Sequence, residues 1–302
     1  MSRRWATPIA NPRPTSAATS RRPPGRRSPA KRLPPALVQE WAHEPAWLAA
    51  LPALVEELAE RWGLELEEPF DGIHALVVPA GDVVLKLNAP SHHEAEHEAD
   101  ALDFWDGGGA VRLLARDDDR HALLVERCRP GTQLWDESTD ELAVAAELLP
   151  RLWGEPPEPH PFLPLVEVAA GWAEELRRQA RGIDRSLVDV ALDTFETVER
   201  RATSLANQDL HGGNIVRAER EPWLVIDPKP LVGEQALNGV GLLRNAAWNG
   251  GTDAVRDWLD LLAGLGLDRG RVRAWGVAHA LAWSSGGTDR GMVEAARAIR
   301  DA

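Results

Sequence analysis

The 302-residue chain has a single cysteine, Cys128, which excludes an internal disulfide framework and a thiolate zinc cage. No apolar run approaches the roughly 18 residues that a membrane-spanning helix needs, so no bilayer crossing is expected. Tyrosine is absent, and 13 tryptophans with four phenylalanines supply all the aromatic content, a bias that composition does not explain. Neither Gly107-Gly108-Gly109 nor Gly286-Gly287 is followed by Lys-Ser/Thr, which excludes a phosphate-binding loop of the strand-GxxxxGK-helix type. No dinucleotide fingerprint follows a strand, and no repeat of fixed period is visible. What is present is ordinary for a soluble protein. With 44% apolar and 27% charged residues, the chain can bury one large core or two modest ones, and with one cysteine and no span a cytoplasmic location is expected.

Net charge is -13, unevenly spread. Residues 1–36 hold nine basic and no acidic residues, leaving -22 on the remainder. An acidic body repels nucleic acid, so none is expected as a partner. The same 36 residues contain eight prolines and almost no aliphatic side chain, a composition that predicts a disordered basic tail. From Leu37 to Trp62 leucine, alanine and tryptophan recur at helical spacing, interrupted by Pro45 and Pro52, which predicts two or three short helices.

The period then changes. Leu64–Leu66, Ala75–Val78 and Val83–Leu87 read as short strands, the last two joined by the turn Pro79-Ala80-Gly81-Asp82. Ser91–Trp105 reads as a helix ended by the three glycines, and strands follow at Val111–Ala115 and Ala122–Arg127. Beyond Gly131 the spacing predicts helices at 137–153, 165–181, 186–205, 235–248, 253–265, 270–284 and 289–301, with one hairpin of Ile215–Arg217 and Leu224–Ile226. The expected fold class is α+β in two lobes: an N-terminal lobe over 37–128, with a small antiparallel sheet and one helix, and a mainly helical lobe over 129–302.

The stretch Asn207-Gln208-Asp209-Leu210-His211-Gly212-Gly213-Asn214-Ile215-Val216 is followed, eleven residues after Val216, by Asp227. Asp-x-x-x-x-Asn, then Asp at a strand end, is the layout of a phosphoryl-transfer centre. One carboxylate orients and deprotonates an attacking hydroxyl, while an amide oxygen and a second carboxylate hold Mg²⁺ on nucleotide phosphates. Hard oxygen ligands from a short loop and an adjacent strand end suit that ion.

NQDLHGGNIV with LVIDPKPLVGE resembles the aminoglycoside phosphotransferase family, and more closely its branch of streptomycin 6-phosphotransferases and hydroxyurea kinases. The likeness extends to VVLKL at 83–87, EHEADALDFWDGGGAVRLL at 96–114, ALLVERCRPGTQL at 122–134 and GLLRNAAW at 241–248. The resemblance implies a protein-kinase-like fold and ATP with Mg²⁺ as cofactors. It implies Asp209 as catalytic base, Asn214 and Asp227 as Mg²⁺ ligands, and Lys86, on the third strand, as the contact to the α- and β-phosphates. Glu98 would be the ion-pair partner of Lys86, with Glu94 on the same helical face as the fallback. The loop Phe70–His74 would cover the phosphates and Glu126-Arg127-Cys128 would meet adenine, with Cys128 a small apolar filler. His211 would organise loop backbone. The implied acceptor is a cationic small molecule, streptomycin first and hydroxyurea second, with Glu234, Asp253 and Asp257 as candidate contacts.

Departures from the family pattern stand at Asn207, where a histidine usually braces the loop, and at Asn238, where an aspartate usually anchors it. They predict a softened loop, and in the extreme a catalytically silent nucleotide-binding protein. A rival motif is His93-Glu94-Ala95-Glu96-His97, which matches the H-E-x-x-H helix of zinc hydrolases. It has little apolar bedding and no third ligand at a short downstream spacing, so the kinase-like reading of this segment is preferred.

Overall fold

The computed structural model describes residues 33–199, 204–284 and 286–302. Most of the expected basic tail, residues 1–32, therefore lies outside the described residues. Its last two positions begin a helix: α1 (Pro35–Glu40) and α2 (Pro45–Trp62) both start on a proline, whose preset φ and missing N–H suit a first helical turn. α2 runs through Pro52, so the expected series of short helices is one short and one long, ended by Gly63 in the left-handed region.

Strands β1 (Ala75–Ala80), β2 (Val83–Asn88), β3 (Leu113–Asp117) and β4 (Ala122–Glu126) form an antiparallel sheet in the order β1-β2-β4-β3. Pairing of β1 with β2 continues to Ala80 opposite Val83, so the hairpin turn is Gly81-Asp82 alone. Leu64–Leu66 is not a strand. The Leu64 amide is spent on the last turn of α2, and only Glu67 and Phe70 bond to β1, through the carbonyls of Pro79 and Val77. Lys86 thus stands on the second strand, not the third.

The two-residue alternation of the strands decides what Lys86 faces. Leu85 and Leu87, with Leu76, Val78, Ala122 and Leu124, pack against α1 and α2. Val84, Leu123 and Val125 point to the opposite face, into a second cluster with α3 (Glu98–Trp105). Lys86 shares the parity of Val84 and so projects toward α3. That second cluster continues without a break into the helical lobe, so one core serves both lobes.

The helical lobe comprises α4 (Glu141–Leu152), α5 (Leu165–Gln179), α6 (Arg185–Glu196), α7 (Val240–Gly264), α8 (Arg269–Ala282) and α9 (Arg290–Arg300). Asp140, Asp184, Asp268 and Asp289 each accept a first-turn amide of the helix they precede, satisfying donors that would otherwise be orphaned. The helices expected at 235–248 and 253–265 are one helix, α7, broken at Gly251 (φ 63°, ψ -151°). The helix expected over 186–205 ends at Glu196, and Ser204–Asn207 is a strand, β5. All four β5 residues are buried, so no polar alternation marks them as a strand. The hairpin partners are β6 (Ile215–Arg217) and β7 (Trp223–Val225), and β8 (Pro230–Gly233) pairs with β5.

Two backbone bonds, Val111 N to Val225 O and Val225 N to Gly109 O, stitch β7 to the segment that leaves α3. Arg220 reinforces the junction by donating to the Gly107 and Ala110 carbonyls and to Glu126. Asp227, two residues past β7, is thereby delivered beneath the sheet. Among the described residues no helix is long and apolar enough to cross a membrane.

Candidate active site

Lys86 Nζ lies 2.7 and 2.6 Å from the two carboxylate oxygens of Glu98 and 2.5 Å from Asp227 Oδ1. The β2 lysine, the first residue of α3 and the post-β7 aspartate, 141 positions apart at the extremes, therefore meet at one ammonium group. Asn88 Nδ2 donates to Glu98 Oε2 at 2.9 Å and fixes the carboxylate from the side. Glu94, the fallback partner, instead faces Lys229 at 3.4 Å. Burial disfavours the charged form of Lys86, but the attractions of Asp227 and Glu98 outweigh it and raise its pKa. Burial likewise pushes the Glu98 carboxyl up, with Lys86 only partly offsetting it. For Asp227 burial is overcome by the charge and hydrogen bond of Lys86, and the carboxyl falls from 3.8 to about 2.

A depressed carboxylate contributes stability above its unfolded value that is lost as pH falls through its folded one. The thermal stability advantage of the wild type over Asp227→Asn should therefore hold above pH 4 and shrink between about pH 4 and 2. Melting curves of both proteins across that range test this, and a gap that does not change with pH would count against the Lys86–Asp227 pair.

The second half of the site is the bend between β5 and β6. Asn207 Oδ1 accepts the amides of Asp209 (3.1 Å) and Lys229 (3.0 Å), while Asn238 Oδ1 accepts the Asn207 amide (3.0 Å). The two asparagines at the departures from the family pattern thus each hold loop backbone. His211 Nδ1 accepts the Gly213 amide at 3.0 Å, and its ring stacks on Trp135 with centroids 5.2 Å apart. Gly213 lies so close to that indole that an added Cβ would sit 2.4 Å from it, and one on Gly241 would sit 2.2 Å from the Leu210 carbonyl oxygen. The bend is therefore clamped between Trp135 on one side and the start of α7 on the other. Asn214 Nδ2 donates to the Asp209 carbonyl (3.1 Å), and the Ile226 amide donates to the Asn214 carbonyl (2.9 Å), which sets Asn214 beside the segment bearing Asp227.

Asp209 is held by two buried cations that sequence reasoning missed. Lys229 Nζ lies 2.9 Å from Oδ2 and Arg244 Nη2 lies 2.9 Å from Oδ1. Arg244 is in turn 3.4 Å from His279, whose Nε2 is 3.4 Å from Gln208 Oε1. Burial lowers the pKa of Arg244, whereas for Lys229 the attraction of Asp209 outweighs burial and raises it. The available signal was a charge inside an apolar helical run, Arg244 in GLLRNAAW, the same argument that singles out Lys86 in VVLKL.

Other expected residues are not brought into this site. Glu234 is buried beneath it, accepting from Arg271 (2.6 Å), Trp275 (2.9 Å) and the Glu199 amide (2.7 Å), so it has no charge to offer an acceptor. Asp253 is exposed and paired with Arg256, and Asp257 is exposed on α7. The zinc motif does not form its helix. His93–Ala95 is one 3₁₀ turn, α3 begins at Glu98, His97 faces Asp100 at 3.2 Å, and among the described residues no cluster of three or more His, Cys, Asp or Glu could hold a metal ion. Cys128 packs partly buried against the core, and burial pushes its thiol up to about 12, which leaves it inert.

The model of the aminoglycoside/hydroxyurea antibiotic resistance kinase family matches residues 65–289. The chain belongs to that family. It is 37% identical over 249 residues to a streptomycin 6-kinase of Streptomyces glaucescens, covering 76% of this chain and 80% of that one. It is 38% identical over 246 residues to a hydroxyurea phosphotransferase of Kitasatospora aureofaciens, covering 76% and 71%. Among solved structures, an aminoglycoside phosphotransferase in ternary complex with ADP and hygromycin B superposes with a TM-score of 0.56 at 13% identity, over 81% of this chain and 97% of the other. The kinase is thus a phosphotransferase acting on a hydroxyl acceptor, and its two-lobed α+β architecture is the protein-kinase-like fold.

Proposed function

We propose that the kinase transfers the γ-phosphoryl group of ATP to a hydroxyl of a cationic aminoglycoside, streptomycin first among the candidates. The observation that carries this is the convergence of Lys86, Glu98 and Asp227 on one ammonium group, with Asn214 and Asp209 supplied by the neighbouring bend. That is the charge arrangement phosphoryl transfer needs: a fixed cation for the nucleotide phosphates, hard oxygens beside it, and a carboxylate set apart for the acceptor.

The residues fit Mg²⁺. Lys86 engages only Oδ1 of Asp227, and Asn214 is tied down through its nitrogen, so each keeps a side-chain oxygen for a hard cation. Bound there, the ion would neutralise charge on the phosphates of ATP. In the proposed reaction Lys86 pairs with the α- and β-phosphates, steadied by Glu98. Asp209 receives the proton of the acceptor hydroxyl as that oxygen bonds to the γ-phosphorus. The bond from the γ-phosphorus to the bridging oxygen breaks, giving a phosphate ester and ADP, and the proton remains on Asp209.

A cationic acceptor agrees with the -22 charge outside residues 1–36 and with the streptomycin 6-kinase relative. A second reading, an uncharged hydroxyurea-type acceptor, is favoured by the equally similar hydroxyurea phosphotransferase. ADP release measured with streptomycin, other aminoglycosides and hydroxyurea separates them. Turnover is expected with streptomycin and absent without acceptor. Turnover confined to hydroxyurea would transfer the assignment to the second reading, and ATP binding without turnover across the whole panel would leave a silent nucleotide-binding protein.

A further inference from the structure

We propose that Lys229 alternates between two anions: it holds Asp209 while no nucleotide is bound, and it carries its ammonium group to the γ-phosphate of bound ATP, freeing Asp209 Oδ2 for the acceptor hydroxyl. The proposal rests on the kinase reading above. Its starting point is an obstruction. A base must come within roughly 2.6–3.2 Å of the hydroxyl it deprotonates. Yet Oδ1 of Asp209 is taken by Arg244 and Oδ2 by Lys229, both at 2.9 Å, in surroundings where all three side chains are less than a tenth exposed. Each oxygen keeps a second acceptor direction, so the two buried cations crowd the approach of an acceptor without closing it, and withdrawal of one opens it.

The two cations differ in their freedom to withdraw. Arg244 is built into α7, with its planar head near His279 and over the faces of Trp283 (4.8 Å) and Trp248 (5.7 Å). Lys229 sits in the connection between β7 and β8, on a flexible four-carbon arm that ends in a compact charge. It already has a second anion within reach, Glu94 Oε2 at 3.4 Å on the opposite lobe, and rests over Trp283 at 5.1 Å. It therefore stands on the boundary between the lobes and not within either.

The destination follows from charge. Lys86 is committed to Glu98 and Asp227, so it serves the inner phosphates. The γ-phosphate, transferred toward Asp209, arrives between that carboxylate and Asp227. Lys229 is two residues from Asp227 in the chain and bonded to Asp209, which makes it the cation placed to receive the outermost charge. The arrangement would keep the base masked until ATP is in place, so that acceptor binding and nucleotide binding are coupled.

The test compares affinities of the full chain for magnesium AMP-PNP and magnesium ADP by titration calorimetry, which needs no knowledge of the acceptor. Lys229→Met should weaken AMP-PNP severalfold, the net of the bond gained to the γ-phosphate over the bond given up to Asp209, while changing ADP by less than about twofold. Lys229→Arg should restore most of the AMP-PNP affinity. Equal weakening of both nucleotides, or of neither, would overturn the proposal and leave the kinase reading standing. A wild type that binds neither nucleotide would overturn both. Should Lys229→Met fail to fold, the wild type crystallised with magnesium AMP-PNP decides the matter: Nζ on a γ-phosphate oxygen supports the exchange, and Nζ still on Asp209 Oδ2 refutes it.

Discussion

Asp209→Asn should lower acceptor-dependent ADP release by roughly 10³-fold, within the range spanned by general bases, while nucleotide binding is retained and, on the exchange proposed for Lys229, AMP-PNP binds more tightly than to the wild type. The separation of effects follows from position. Asp209 belongs to the bend between β5 and β6 and touches Lys229 and Arg244, whereas the side proposed for the inner phosphates is built from Lys86, Glu98 and Asp227. The amide keeps the shape of the carboxylate but has no charge with which to take a proton. It also leaves two buried cations facing a neutral group, so a fall in melting temperature accompanies the loss of rate. AMP-PNP titration of the variant distinguishes a lost base from a lost fold. Retention of more than a tenth of wild-type kcat would remove Asp209 from the role proposed for it.

Lys86→Met should be costly in a different currency. It leaves Glu98, almost wholly buried, and Asp227 facing each other without the cation between them. Breaking a buried ion pair by removing one partner costs about 3–5 kcal/mol, because the remaining charge is desolvated and uncompensated. For a chain of this size that corresponds to a drop of roughly 5–9 °C in Tm. Glu98→Gln alone should cost less, since Lys86 keeps Asp227. In the double variant Lys86→Met/Glu98→Gln much of the first loss should be recovered, and a double-mutant cycle measures that recovery directly. Additive effects of the two changes would mean that the pair does not interact as the 2.6 and 2.7 Å contacts require.

The expectations that held and those that failed separate by mechanism. Short apolar runs bounded by turn residues marked β1, β2 and β4 closely and β3 two residues early, because alternation and a turn signal are both local properties. β5 and β8 escaped because they are stabilised by pairing with each other across the segment 208–229, Ser204 with Gly233 through Asn207 with Pro230, and neither shows a period of its own. α3 was read seven residues too long at its start, since helical spacing in Ser91–His97 competes with loop contacts that only the opposite lobe supplies, such as Glu94 with Lys229.

For the site, the order of residues along the bend and the polar intrusions into apolar runs were legible, because a lysine within VVLKL is unusual whatever its neighbours. The choice of Glu98 over Glu94 required knowing where α3 begins. Of the acidic residues expected at the acceptor, Glu234 reads as a free carboxylate until Arg271 and Trp275, more than 35 positions away, are seen to pair with it.

The chain alone determined the family resemblance, the two-lobed α+β class and, Lys229 excepted, the charged groups proposed to face a nucleotide, since each depends on residue type and near-neighbour spacing. The fold decided which charges meet: Lys86 with Glu98 and Asp227, and Asp209 with Lys229 and Arg244. Those pairings join residues 12 to 141 positions apart, and at such separations it is the packing of β7 against the exit of α3, and of α7 against the bend, that sets distance.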